Sequence, residues 1–137
     1  MRARVTETTA ATIARSWPTM QSHRRDLATA IARYLARRNS HELRDGGSVA
    51  LLIMDMLFDH ARDMAGMVPL QRIEETGRRH RLEGIAADHY SSFGDGLGAA
   101  MKDVLGAKAS PSLLSAWGDA YWTIVRSVSR QERPIAA

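Results

Sequence analysis

Apolar residues recur at three- and four-residue intervals along almost the whole chain, and nowhere alternate one by one as a half-buried strand requires. Only four prolines interrupt the pattern, at positions 18, 69, 111 and 134. Long stretches are thereby left free to coil, and the fold class is all-α. Ile13, Trp17 and Met20 form a first stripe. Leu27, Ala30, Ile31, Tyr34 and Leu35 form a second, before a polar connection from Arg37 to Gly47. Ser48 to Met64 is apolar on most sides, which predicts a helix in the middle of the molecule. A segment from Pro69 to His80 carries a narrower stripe, and Gly84 is placed to end it. Tyr90, Phe93, Leu97, Met101, Val104 and Leu105 make the next stripe, closed by Gly106. The last runs from Leu113 through Trp117, Tyr121 and Ile124 to Val128, behind a Ser110 cap and Pro111 at the first helical position. Six to eight helices are expected.

A chain of 137 residues supports one compact core. It has no cysteine, which removes disulfides, iron–sulfur clusters, thiolate-ligated haem and Cys-based zinc sites. Any metal must rest on His, carboxylate or Met. Nineteen basic residues against fifteen acidic give a net charge of +4, but the arginines run from Arg2 to Arg133 without forming a block. That dispersal reads as a solvated helical surface and makes nucleic acid an unlikely partner. The longest apolar run, Val49 to Met54, is far short of the roughly 20 residues that span a bilayer. With no secretory stretch at the N-terminus and no cysteines, a cytoplasmic location is the expectation.

At about 100° per residue, Leu70, Ile73, Gly77 and His80 share one arc, so His80 faces inward on a helix whose other residues are mostly charged. On spacing alone, such a histidine reads first as a satisfied core residue and second as a ligand. Other chemistry has less support. Gly94-Asp95-Gly96-Leu97-Gly98 lies inside an apolar helical stripe and reads as close helix packing, not as a phosphate cradle. There is no HExxH, and no carboxylate pair at a defined spacing inside an apolar stripe.

Three segments taken together shift that balance: GRRHRLEGIAADHY from Gly77 to Tyr90, GAAMKDVLGAKASPSLLSAWGDAYWTIV from Gly98 to Val125, and Gln131-Glu132. They resemble the second half of the bacterial single-domain haemoglobins and of the globin domains of flavohaemoglobins. The resemblance is close over residues 66 to 132 and loose over 12 to 36. It implies a single globin-like domain over 1–137, with 1–8 and 133–137 as flexible ends, built around haem b. His80 matches the family's proximal iron ligand. Tyr90 and Glu132 match the pair that hydrogen-bonds it and pushes electron density toward the iron. Leu52, Met56, Gly84 and Ile85 are implied as further contacts to the haem.

The first half departs from the family. Ala32 stands where the distal tyrosine belongs, no Phe occurs between Leu43 and Gly47, and glycines and aliphatics fill Gly46 to Leu52. Tyr34 and His60 are the nearest polar substitutes. The resemblance implies binding or transformation of small ligands such as oxygen, nitric oxide or carbon monoxide. An oxygenase or nitric oxide dioxygenase-like activity would need a reductase in trans. Two other readings stay open: a haem enzyme acting on an organic substrate in an enlarged apolar distal pocket, and a globin-like module that has lost haem and acts by protein contact.

Overall fold

The helical stripes become six α-helices and one 3-10 turn in the computed structural model, which describes residues 5–38, 46–70 and 72–132, with side chains described for 5–37, 49–70 and 72–129. In chain order they are α1 (Glu7–Ser22), α2 (Arg24–Arg38), α3 (Gly46–Ala65), α4 (Ile73–Leu82), α5 (Ala87–Leu105) and α6 (Pro111–Glu132), with the 3-10 turn at Gly106–Lys108. No strand occurs among the described residues, so the all-α expectation holds. No helix there is long and apolar enough to cross a membrane.

Local chemistry sets most helix ends. The Thr6 hydroxyl accepts from the Thr9 amide at 3.1 Å and starts α1. That start lies inside the stretch expected as a loose end. Ser110 accepts from the Leu113 amide at 3.2 Å ahead of Pro111, as its sequence pattern predicts. Gly84 and Gly106 take positive φ of 79° and 56° just beyond α4 and α5, the backbone shape that ends a helix most cheaply in glycine. α4 starts later than its stripe predicts. Arg72 sits at φ 59° and ψ 20°, a left-handed conformation that no α-helix contains, so Leu70 packs from a loop and the helix begins at Ile73.

α3 touches all five other α-helices, as a helix so apolar must. Its buried Ile53, Met54, Leu57, Phe58 and Ala61 meet Leu27, Ile31 and Leu35 of α2 and Phe93, Leu97 and Met101 of α5 in one continuous core. Where α1, α3 and α6 meet, Trp17, Phe58 and Trp117 cluster with ring centroids 5.4 to 6.0 Å apart. The buried Trp117 indole donates to Ser16 Oγ at 2.9 Å, satisfying its one polar side-chain atom. Arg24 pairs with Asp55 and lies 4.6 Å over the Phe58 ring, pinning the start of α2 to α3. α4 rests chiefly on α6 and meets α3 only lightly, so the seam between α3 and α4 is the sparsest around the central helix.

Candidate functional site

His80 faces that seam. It lies in the last turn of α4, where only Gly77 and His80 of the helix are fully buried, and is itself 2% exposed. The chain leaves α4 through Gly84, and the Ile85 amide donates back to the His80 carbonyl at 2.9 Å. This tight turn brings Tyr90, in the first turn of α5, under the imidazole. Their rings stack with centroids 5.8 Å apart, and His80 Nδ1 is 2.7 Å from the Tyr90 hydroxyl. The Tyr121 hydroxyl of α6 donates to the Tyr90 main-chain carbonyl at 2.6 Å, and its ring stacks on Phe93 at 5.1 Å. Tyr90 is thus held by Tyr121 before it touches the histidine.

Burial pushes the His80 pKa down to about 4, against smaller opposing support from a hydrogen bond to the Leu52 backbone. The ring is neutral at pH 7. Its Nδ1 edge meets Tyr90 on α5, while Leu52 on α3 lies on the opposite side of the seam. A small cleft of about 50 Å³ opens beside it, lined by Leu52, Asp55, Met56, Asp59, Thr76, Arg79 and His80. Asp59, Thr76 and Arg79 also line an adjoining pocket of about 170 Å³, completed by His60, Arg72 and Glu75. There the His60 ring meets the Thr76 hydroxyl at 2.8 Å, and burial lowers its pKa as well. Among the described residues no three His, Asp or Glu side chains are grouped to hold a metal ion, so His80 stands as a single candidate ligand.

The structure brings His80, Tyr90, Leu52 and Met56 together, and Ile85 is buried beside them in the turn. Gly84 is on the surface with nothing within 4 Å of where its side chain would begin, because its work is the turn itself. Glu132 is the last residue of α6, and its side chain lies outside the described residues. So does the connection around Leu43. Neither polar substitute lines the His80 cleft. The Tyr34 ring packs on Gly96 of α5, where an added Cβ would sit 2.8 Å from it, and His60 turns to Thr76.

The distal positions across residues 39–45 lie outside the described residues, while the cleft beside His80 is small and carries charged residues as well as Leu52 and Met56. The cause is periodicity. Asp55 and Asp59 are four residues apart on α3 and share the face that looks toward Arg79 of α4. Sequence reasoning missed three contributors. Tyr121 read as one member of an apolar stripe, while Thr76 and the Leu52 backbone carried no sequence signal.

No family model matches the chain. Over 61 residues, 44% of its length, it is 38% identical to a flavohemoprotein of Bacillus subtilis. It is 34% identical over 70 residues to a flavohemoprotein of Bordetella pertussis and 36% identical over 63 residues to one of Xylella fastidiosa, 51% and 46% of this chain. These stretches span 15% to 17% of the relatives' own length. Likeness over about half the chain, joined to an all-α fold, points to the globin-related proteins without selecting a member among them.

Proposed function

We propose that this chain is a globin-related domain that binds haem b through His80 and binds or transforms small ligands there. The observation that supports this most is the buried, neutral His80 with one ring nitrogen fixed by Tyr90 at 2.7 Å, which leaves the other nitrogen as a candidate metal donor. The names of the partial relatives point the same way.

The residues fit haem in donor chemistry. A neutral imidazole oriented by a second side chain is what an iron porphyrin requires of its protein ligand. The cleft is much smaller than the roughly 300–1,000 Å³ of a typical ligand pocket, so α3 and α4 must part for a macrocycle to enter. When bound, haem supplies an iron that takes up small ligands and exchanges electrons. The chain's own residues do the rest. His80 would hold the iron and Tyr90 would accept the Nδ1 proton in a hydrogen bond, raising the basicity of the ring; the resemblance assigns Glu132, whose side chain lies outside the described residues, to the same pair. Leu52, Met56 and Ile85 supply apolar contact. Repeated turnover would need electrons from a reductase.

His80→Ala tests the assignment. The variant is expected to lose the Soret band of the loaded protein, and to recover it when free imidazole is added. An unchanged haem spectrum and affinity in His80→Ala would remove the histidine from the site.

A further inference from the structure

The pocket adjoining the His80 cleft takes no part in the proposed function. Its volume is about 170 Å³, well beyond a single water and below the roughly 300–1,000 Å³ of a drug-sized site. It spans the α3–α4 seam. Arg72, Glu75, Thr76 and Arg79 recur at three- and four-residue steps from the start of α4, and Asp59 and His60 come from α3. The buried His60 ring and the half-buried Thr76 hydroxyl, 2.8 Å apart, lie deepest. The four charged residues are exposed, two of each sign, and among the described residues no ion pair joins these acids to these arginines. Such a lining discriminates by charge. A simple anion meets Asp59 and Glu75, a simple cation meets Arg72 and Arg79, and an apolar molecule strips water from all four. A molecule that carries both charges can pair with both sets.

Arg72 supplies a second observation. Its φ of 59° holds a bulky residue in the left-handed region, where glycine costs least, and its side chain makes no capping hydrogen bond to α4. The strain brings the helix no cap and sets a guanidinium on the pocket. We propose that this pocket binds a small zwitterion of the α-amino acid class, its carboxylate on Arg72 and Arg79 and its ammonium on Asp59 and Glu75. Because the lining comes from both helices, the bound zwitterion ties α4 to α3 and opposes the parting that haem entry requires. The binding stands by itself; its coupling to haem uptake rests on the haem reading.

Amide chemical-shift titration of the haem-free protein with each of the standard L-amino acids tests the site, with propionate and ethylammonium as probes of one charge each. At least one amino acid is expected to saturate, to move the resonances of Asp59, His60 and residues 72–79, and to bind about tenfold or more tighter than either single-charge probe. Arg72→Gly, which removes the guanidinium and the strained backbone together, is expected to weaken that amino acid about tenfold while the amide spectrum away from the seam is kept. Asp59→Asn is expected to weaken it similarly and to leave propionate bound no less tightly, a split that a merely structural role would not produce. No saturable binding by any amino acid, propionate bound as tightly as the best of them, or binding that both variants leave intact would each overturn the inference. Haemin uptake followed by stopped-flow absorbance is expected to slow several-fold at saturating amino acid in the wild type but not in Arg72→Gly. Equal rates in the wild type would overturn the coupling. A protein that takes up no haemin even without amino acid would instead overturn the functional reading and leave the titration standing.

Discussion

His80 is a base kept uncharged by its surroundings, and acid reveals the cost. Unfolded, an imidazole takes its proton near pH 6.5; in the fold that waits until about pH 4. Between those values the unfolded chain binds more protons than the native one, so stability falls as pH drops through that window and is complete above it. This residue alone contributes a slope of up to about 1.4 kcal/mol per pH unit there. His60, lowered by its own burial, adds in the same direction. Urea unfolding at pH 7 and pH 5 is expected to show a loss of stability that is markedly smaller in His80→Gln. An equal loss in that variant would show that other groups carry the acid sensitivity. At this scale the sequence is informative where side chains act and silent where main chain acts. The ten-residue step from His80 to Tyr90 is readable; the Leu52 carbonyl is not.

The glycines of α5 separate two effects that their shared motif joins. An added Cβ at Gly96 meets Tyr34 Cδ1 at 2.8 Å and Cγ at 3.1 Å, whereas at Gly98 it meets nothing within 4 Å. Gly96→Ala is expected to destabilise by about 1–3 kcal/mol through overpacking of α2 against α5. Gly98→Ala is expected to stabilise by about 0.5–1 kcal/mol, because alanine restrains the unfolded chain and suits a helix interior. Thermal denaturation checks both signs, and a shared sign would refute the distinction between Gly96, which packs, and Gly98, which does not. The α3–α4 seam has a counterpart in Thr76→Val, which strips the buried His60 of its 2.8 Å partner. That change is expected to cost about 1–3 kcal/mol and to speed amide exchange in α4 ahead of the other helices. Uniformly slow exchange would show that the His60 bond does not hold the seam. Helix identities, the α6 cap and the stops at Gly84 and Gly106 were legible because each has a chemical signature. The start of α4 was hidden, since an arginine gives no sign that its backbone is left-handed.

Across the whole molecule, the central α3 is packed tightly to α2 and lightly to α4, and α4 has its main support in α6. The arrangement lets α4 and α3 separate without dismantling the core of α2, α3 and α5. It also explains why the site was only half legible. The second half of the sequence carries His80 and Tyr90 on adjoining elements whose ends are signalled, whereas the distal assignments hung on a register across residues 39–45, which lie outside the described residues. The central claim is that the seam that His80 faces takes up haem, and one absorption titration tests it most directly. Ligand-free protein is titrated with haemin, then reduced, then exposed to carbon monoxide. The account expects a Soret band that saturates at one haem per chain and shifts on reduction and again with carbon monoxide. A spectrum that stays that of free haem at every ratio would contradict it.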